Sequence, residues 1–180
     1  SHAGGVVIIT SDSPFSIQTN GGTTQSSIYG FTDSIANSSL LPLHCKDGYV
    51  TRIANSEDID IDDMYVRFRT NGDLLYGPGY WEECPAEDIE YKLDPLTMPH
   101  ALVRQEDGKF TYQPVDWNDR IIGDNVTNPI PSFVNNKISS IFFYRNRMGF
   151  LSGQNVILSR AGDLFNFWYT TAQTAVNDDP

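Results

Sequence analysis

Apolar and polar residues alternate along two neighbouring stretches of the chain, residues 49–53 and 64–69. Successive side chains of a β-strand point to opposite faces of a sheet, so this period of two predicts strands with one buried face. Asn71-Gly72 follows the second stretch and favours a tight hairpin turn. Residues 74–76 are then the natural return strand, and Gly77-Pro78-Gly79 is predicted to form the next turn.

A second β region lies nearer the C-terminus. Residues 138–144 and 156–159 are apolar and rich in β-forming side chains, which predicts two strands. Gly149 and Gly153 lie between them and supply the positive φ angles that a tight reversal needs. We therefore predict a hairpin-like unit of two strands.

The remaining segments complete a mainly β prediction. Residues 25–37 are predicted to be helical, because apolar side chains recur there at helical spacing. Residues 116–132 are predicted to form an ordered loop packed by Trp117. Further strands are predicted at residues 6–10, 15–19, 80–84, 100–104, 110–113 and 165–169. The expected fold class is mainly β (α+β), with antiparallel sheets in a sandwich-like arrangement and one or two short helices.

The net charge of −11 is unevenly distributed along the chain. Residues 57–94 contain twelve acids and three bases, a balance of −9, whereas residues 130–169 contain four bases and one acid, a balance of +3. An acidic surface repels the phosphate backbone, so the composition argues against tight nucleic-acid binding. The alternative is that the acids only keep the chain soluble.

No cluster of potential ligands has the spacing of a metal site. Counted from Asp58, the sixth position is Asp63 rather than glycine and the twelfth is Arg69 rather than glutamate, so the acidic run is not an EF-hand. His44-Cys45 lacks the second pair that would complete a zinc tetrahedron. Pro78 has no free N–H and excludes a phosphate-binding glycine loop at that position. We predict no metal and no cofactor.

Two alternatives that involve sugars remain open. Glu82-Glu83 and Glu87-Asp88 are the carboxylates that a polysaccharide hydrolase would need, although neighbouring residues of a strand face opposite sides. A glycan- or receptor-binding module would instead stack sugars on aromatic rings, which more often fill a core or a subunit contact. The aromatic candidates are Tyr80, Trp81, Trp117, Phe142, Phe143, Phe165, Phe167, Trp168 and Tyr169. No catalytic residue is predicted, and the chain is interpreted as a non-enzyme.

No apolar run of the chain approaches the ~18 residues needed to cross a bilayer, and no basic leader precedes Val6. Neither a transmembrane helix nor a secretion signal is therefore predicted. Cys45 and Cys84 are too few to define a disulfide framework, and two half-buried thiols are expected.

Several unusual sequence motifs occur together between residues 97 and 167. They are Thr97-Met98-Pro99-His100, Val115-Asp116-Trp117, Gly123-Asp124, Asn128-Pro129 and the stretch 141–160. In this order and spacing they resemble the nozzle proteins of short-tailed bacteriophages, often called tail tubular protein B. The resemblance extends from about Leu41 to Pro180 and is thin before Leu41.

The resemblance implies a structural component of the phage tail. Nozzle proteins form a hexameric tube at the distal end of the tail, below the adaptor-type ring of tail tubular protein A, and conduct double-stranded genomic DNA into the host. The implied partners are other nozzle subunits, that ring, and DNA that passes without tight binding. The implied location is the virion, after assembly in the cytoplasm of the host bacterium.

Two groups of charged residues are candidate functional residues under this interpretation. We expect an acidic block to line or border the lumen, where repulsion keeps DNA from adhering. We expect the arginines of the 130–169 region to form ion pairs between strands or subunits. The acidic block comprises Glu57, Asp58, Asp60, Asp62, Asp63, Glu82 and Glu83, and the second group comprises Arg145, Arg147, Arg160 and Asp163. On extended backbone Arg145 and Arg147 share one face.

The chain is divided into four predicted parts. Residues 1–40 form a strand pair and a short helix, and residues 1–4 resemble a scar of tag cleavage. Residues 41–96 form an acidic β-meander, and residues 97–170 form the β region that carries the family motifs. Residues 171–180 form a linker. Because nozzle proteins are several times longer, the chain is expected to be a piece whose linker leads to a further domain.

Overall fold

The computed structural model describes residues 2–3, 5–16, 30, 32–54, 63–171 and 176–180. The prediction of a mainly β fold with antiparallel sheets is confirmed. None of the helices among the described residues is long and apolar enough to cross a membrane. The strands are β1 His2–Ala3, β2 Val6–Val7, β3 Ser34–Ile35, β4 His44–Lys46, β5 Val50–Ile53, β6 Met64–Thr70, β7 Tyr76–Glu83, β8 Ala101–Arg104, β9 Phe110–Gln113, β10 Ile138–Tyr144, β11 Arg147–Ser152 and β12 Asn155–Leu158.

The chain divides into two compact units, Ser1–Cys84 and Pro85–Pro180. The first unit contains a five-stranded sheet in the order β3-β5-β6-β7-β4, in which β3 and β5 are parallel and the other neighbours are antiparallel. It also contains the small pair β1-β2. The second unit contains the three-stranded sheet β10-β11-β12 and the separate hairpin β8-β9.

The predicted alternation is confirmed in the central strand β6. Met64, Val66, Phe68 and Thr70 are buried, and the residues between them are half-buried. Phe68 packs edge-to-face on Trp81 of β7, with ring centroids 5.1 Å apart. These residues form the inner face of the five-stranded sheet, because side chains two apart on a strand point the same way.

The predicted turn at Gly77-Pro78-Gly79 is wrong, because β7 runs through these residues. The return from β6 is made earlier, where the hydroxyl of Thr70 donates to the carbonyl of Leu74. Pro78 is tolerated inside the sheet because its carbonyl accepts from the N–H of Asn71, while Gly79 N–H donates to Leu43. Backbone partners on both sides of β7 therefore override the local turn signal.

The predicted helix at residues 25–37 is wrong for the residues that can be described. Residues 32–37 are extended or bent, and β3 pairs with β5 through Arg52 N–H to Asp33 O and Ala54 N–H to Ile35 O. Sheet pairing here outweighs a weak helical pattern. Asn37 then caps a single 3-10 turn, Ser38–Leu40.

The predicted strand pair near the N-terminus is found only in part. The strand β2 covers two residues of the predicted stretch 6–10, and it pairs with β1 rather than with residues 15–19. Residues 15–16 are not in a strand. Residues 17–19, like most of the predicted helix, lie outside the described residues.

The predicted two-stranded unit near the C-terminus is in fact a meander of three strands. Gly149 lies inside β11 rather than in a turn, and Phe142 of β10 lies over it. The first reversal is made by Arg145 and Asn146, whose φ angles are +48° and +60°. Gly153, with φ of +59°, makes the second reversal as a turn residue. The glycine spacing identified one of the two turns.

The core of the second unit is dominated by aromatic rings. Trp117 lies 5.9 Å from Phe167 and 6.0 Å from Phe133 between ring centroids, and Phe150 stacks on Phe167 at 5.3 Å. Aromatic pairs at these distances stabilise a core beyond the area they bury. The buried cluster consists of Leu93, Met98, Trp117, Phe133, Met148, Phe150, Phe167 and Trp168.

The loop at residues 116–132 is ordered and packed by Trp117, as predicted. The strand predicted at 165–169 is wrong, because this segment bonds to the loop one group at a time. Phe165 O accepts from Asn118 N–H. The side chain of Asn128 accepts from Tyr169 N–H at 3.0 Å and donates to Tyr169 O at 3.2 Å. The amide thus acts as a substitute for a neighbouring strand.

Replacing Gly79 with alanine is expected to lower the free energy of unfolding by about 3 kcal/mol. A Cβ atom at this position overlaps the backbone carbonyl of Arg69 on the adjacent strand, which cannot move without breaking the β6-β7 pairing. Urea denaturation measures the effect.

Gly77→Ala is the matched control in the same strand. Its Cβ meets only the flexible end of Leu74, at 3.3 Å, so a change within about 0.5 kcal/mol is expected. Equal stabilities of the two variants would contradict the close approach of β6 and β7.

Candidate functional site

The described members of the predicted acidic block lie on two different faces of the five-stranded sheet. Glu82 pairs with Arg67 and Glu83 with Val66 across β6 and β7. Because Val66 is buried and Arg67 is only half-buried, Glu82 lies on the outer face and Glu83 on the inner face. Glu57, Asp58, Asp60 and Asp62 lie outside the described residues.

Two carboxylates of the block are paired with arginines. Glu82 accepts from Arg69 Nε at 2.6 Å, and Asp63 accepts from the guanidinium of Arg52. Arg67 shares the outer face with Glu82 and lies opposite it. The outer face of this sheet therefore carries compensated rather than purely negative charge.

Unpaired negative charge is found in the second unit, close to its start. Glu87, Asp88, Glu90 and Asp94 are all exposed. Lys92, in the same stretch, forms an ion pair with Asp119 at 3.2 Å. Among the described residues, this stretch has the highest density of exposed carboxylates.

Arg147 binds backbone carbonyls rather than carboxylates. Its Nη1 donates to Ser159 O at 2.9 Å and to Asp179 O at 2.6 Å, and its Nη2 donates to Asn177 O. Arg147 thus ties the described part of the predicted linker to the start of β11. The buried Asp179 adds to this attachment, because its carboxylate accepts from Thr170 Oγ1 and Val176 N–H.

The other members of the second charged group are not brought together with Arg147. Arg145 lies in the turn before β11, so the two side chains do not share a strand face; its guanidinium lies over the ring of Tyr144 at 5.3 Å. Arg160 and Asp163 form a backbone bridge. Asp163 accepts side-chain bonds from Asn118 and Asn166. The four ion pairs found among the described residues do not include this group.

A buried cation that the sequence did not single out organises the loop at 116–132. Arg120 is 1% exposed. Its guanidinium donates to Glu90 O at 2.9 Å, forms two bonds to Asn125 Oδ1 and lies 5.4 Å from the ring of Trp168. Burial lowers the pKa of Arg120, and the charges of Asp124 and Glu90 act in the opposite direction. The only signal in the sequence was its position beside Trp117 and Gly123.

Asp124 closes the same loop by binding the backbone that follows it. Its carboxylate accepts from Val126 N–H at 2.9 Å and from Thr127 N–H at 3.0 Å. Burial raises the pKa of Asp124, but these bonds, together with the charge of Arg120, lower it by more, so the pKa lies below its ordinary value. Gly123 precedes it with φ of +75°, and a Cβ there meets Thr127 and Asn128.

The arrangement favours neither of the two sugar-related alternatives. Glu82 and Glu83 face opposite sides of one sheet. Trp117, Phe167 and Trp168 are buried in the core instead of forming an open platform. No group of three His, Cys, Asp or Glu residues in the described ranges is arranged to hold a metal ion.

Both cysteines are buried free thiols in the first unit. Burial raises the pKa of Cys45, while a backbone hydrogen bond involving Lys46 acts in the opposite direction. The predicted thiols are present, but they are buried rather than half-buried: Cys45 is 3% exposed and Cys84 is 2% exposed.

Large apolar side chains remain exposed on the second unit. On the β8-β9 hairpin, Leu102 and Tyr112 lie opposite each other and both are exposed. On the edge strand β10, Ile141 and Phe143 are exposed as well. Exposed apolar groups on short sheets are typical of contact surfaces.

Comparison with known proteins gives two findings. The family model described as bacteriophage nozzle protein matches residues 1–180, which includes the N-terminal part where few motifs carry the resemblance. The chain is 37% identical to tail tubular protein gp12 of Escherichia phage T7 over 159 residues, which is 84% of this chain and 19% of the relative. The chain thus spans less than a quarter of the length of that relative.

Arg147→Ala is expected to lower the free energy of unfolding by about 3 kcal/mol, because three carbonyls lose a charged donor, and those of Ser159 and Asp179 belong to buried residues. The residues after Thr170 are expected to become cleavable by protease. Urea denaturation and limited proteolysis measure the two effects.

Arg145→Ala removes the same side chain from the neighbouring turn and serves as the control. Its guanidinium contacts only an aromatic ring among the described residues, so a loss of at most about 1 kcal/mol is expected. If the two variants were equally stable and equally resistant to protease, Arg147 would not hold the C-terminal segment.

Asp124→Asn is expected to lower the free energy of unfolding by about 1 kcal/mol at pH 7 and to have no effect at pH 2. A carboxyl whose folded pKa is lowered stabilises the fold above its unfolded pKa of about 3.9, and this contribution is lost as the pH falls through the folded value. Denaturation of both proteins between pH 7 and pH 2 tests this. A difference that stayed constant down to pH 2 would show that the charge of Asp124 is not what stabilises the loop.

Proposed function

The chain belongs to the bacteriophage nozzle protein family, and from this premise we propose that it forms a passive wall segment of the tail tube that conducts genomic DNA. The work of such a segment is mechanical: it maintains a ring and a channel, and it makes or breaks no covalent bond. The proposal covers this chain, which is 19% of the length of its relative from phage T7.

The acidic balance of the chain is the observation that supports a conduit for DNA. The net charge is −11, and residues 57–94 alone contribute −9. DNA adheres to basic surfaces because phosphate contacts release condensed counterions, and an acidic wall removes that gain. The acidic residues Glu57, Asp58, Asp60, Asp62, Asp63, Glu82 and Glu83 are proposed to line or border the lumen.

Among the described residues, ion pairing decides which acids of the block contribute to the repulsion of DNA. Asp63 and Glu82 are neutralised by arginines, so they contribute little net field. The exposed acids at residues 87–94 have weaker compensation and extend the acidic block in sequence. The strongest repulsion is therefore assigned to residues 57–62 and 87–94.

The proposed partners are further nozzle subunits in a hexamer and the adaptor-type ring above it. Ring assembly needs surfaces that favour contact with an identical chain, and the exposed apolar side chains of the second unit support such contacts. The ion pairs proposed for Arg145 and Arg160 would then form with Asp163 or with other carboxylates of a neighbouring subunit.

Reversing acids of the block is expected to slow DNA ejection. In the full-length protein within its virion, Asp58→Lys with Asp60→Lys places cations on the proposed lumen wall. The ejection rate measured in single particles should fall by about tenfold. Purified tubes should bind DNA, and the logarithm of the binding constant should fall with the logarithm of the salt concentration by a slope of about −0.9 for each phosphate contact.

The control is Glu106→Lys with Asp107→Lys, which reverses two exposed acids in the β8-β9 turn without changing the acidic block. Normal ejection and no DNA binding are expected for this variant. If both variants ejected DNA normally, the acids at residues 58 and 60 would not face the channel. If the wild-type protein formed no tube at all, the conduit function itself would be overturned.

A further inference from the structure

The strand β10 is an edge strand whose register is regular from Ser140 to Tyr144, after a register shift between Ile138 and Ser140. It pairs with β11 alone, in a hairpin closed by the two-residue turn Arg145-Asn146. The two residues that flank such a turn form a hydrogen-bonded pair. Along the ladder, hydrogen-bonded pairs alternate with non-hydrogen-bonded pairs, whose backbone groups point away from the partner strand. Ile141 and Phe143 therefore direct their backbone N–H and C=O groups away from β11, and no described residue bonds to them.

The side chains at the same two positions are exposed and apolar. Ile141 is 62% exposed and Phe143 is 63% exposed. They lie on the face of Met148 and Phe150, to which they are paired. Of β10, Ile138 packs against the core, whereas Ile141 and Phe143 do not. Edge strands are usually blunted by lysine, proline or covering segments, and residues 138–144 contain neither of these residue types.

The opposite edge of the same sheet, β12, also has outward backbone groups and has a depression beside it that could take apolar side chains. The strand β12 follows the two-residue turn Gly153-Gln154, so Val156 and Leu158 direct their backbone groups outward by the same alternation. Val156 is 65% exposed. A depression of about 430 Å³ lies beside this edge, with Pro129, Ile130 and Pro131 among the residues that line it.

We propose that β10 of one copy adds to the β12 edge of the next copy, with Ile141 and Phe143 lying in the depression beside β12. This inference rests on the proposed function, because it supplies the contact from which a ring is built. The occupant is a second copy because one chain carries both halves: apolar side chains two residues apart on one edge, and an apolar depression beside a free strand on the other.

This contact is heterologous, as a ring requires. Two different surfaces of each copy meet, so every copy keeps one free edge of each kind until rotation closes the ring. β10 and β12 both run antiparallel to β11, so they point in the same direction. Repeating the sheet around an axis therefore pairs them in parallel and makes one continuous sheet through neighbouring copies.

The first test introduces a charge at the contact in the full-length nozzle protein. Phe143→Asp and Val156→Asp each place a carboxylate in the joined sheet. Each should raise the concentration at which half of the chains are assembled by more than about tenfold, as measured by mass photometry. Leu96→Asp is the matched control, because Leu96 is 74% exposed and lies outside both edges. It should assemble like the wild type.

The second test joins the two edges covalently and does not depend on assembly being lost. Phe143→Cys is combined with Ile157→Cys, and Ile141→Cys with Ile157→Cys, so that the two pairs cover neighbouring registers. Ile157 is paired with Phe150, as Ile141 is, so these side chains share one face of the joined sheet. Parallel neighbours bring Cα atoms within the roughly 4.4–6.8 Å that a disulfide needs. Oxidation of the assembled protein should give a ladder of linked chains on a non-reducing gel. The native Cys45 and Cys84 are buried and leave the background low.

The outcomes separate the inference from the proposed function. A wild-type ring, loss of assembly in both aspartate variants and a ladder in one double-cysteine variant support it. A wild-type ring that persists in Phe143→Asp, with no ladder, overturns the inference and leaves the conduit function standing. Dimers linked through Phe143→Cys alone would indicate β10-β10 pairing and also overturn it. Should an aspartate variant fail to fold, as judged by its melting temperature, the cysteine pairs decide.

Discussion

A buried guanidinium holds the irregular half of the second unit in place. Arg120 is almost fully buried, yet it reaches the carbonyl of Glu90, the amide oxygen of Asn125 and the ring of Trp168. Its Nε has no hydrogen-bond partner among the described residues. Burying a cation is costly, so the loop at 116–132 must supply these contacts together. Once they form, they fix the positions from which Trp117 and Trp168 enter the aromatic core.

The aromatic core and the loop at 116–132 also depend on each other. Trp117, Phe133, Phe150 and Phe167 come from a loop, a turn region, a strand and an irregular segment, so no regular ladder aligns them. Instead, single side chains substitute for strand partners. Asn128 bonds to Tyr169, and Trp168 Nε1 donates to Asn118 O at 2.9 Å. A unit whose described strands are the three of the meander and the two of the hairpin is stabilised in this way.

The sequence predicts the parts of this fold that are determined locally. Alternation gives β6, and the predicted strands at residues 100–104 and 110–113 are found as β8 and β9. The prediction fails where a distant backbone decides the outcome. Gly79 and Pro78 suggest a turn until β4 and β6 are placed on either side of them, and Gly149 suggests a turn until Phe142 lies over it.

The surroundings of the charged residues were also not predictable from the sequence. The sequence predicts ion pairs for Arg147, whereas the partners found are backbone carbonyls, which every residue carries and no pattern reveals. Arg120 gives almost no signal, because the burial of its charge becomes visible only after the loop has closed around it. Glu82 and Glu83 belong to one predicted acidic block, yet the pleat of β7 places them on opposite faces.

The two buried thiols have a consequence for a particle that leaves its host. Cys45 and Cys84 are shielded from solvent, and burial keeps the Cys45 thiol protonated, in the form that reacts least. Passage from a reducing interior to an oxygenated medium therefore leaves the covalent structure of the first unit unchanged. Its durability outside the cell rests on packing, hydrogen bonds and ion pairs such as Arg69–Glu82, and is indifferent to redox potential.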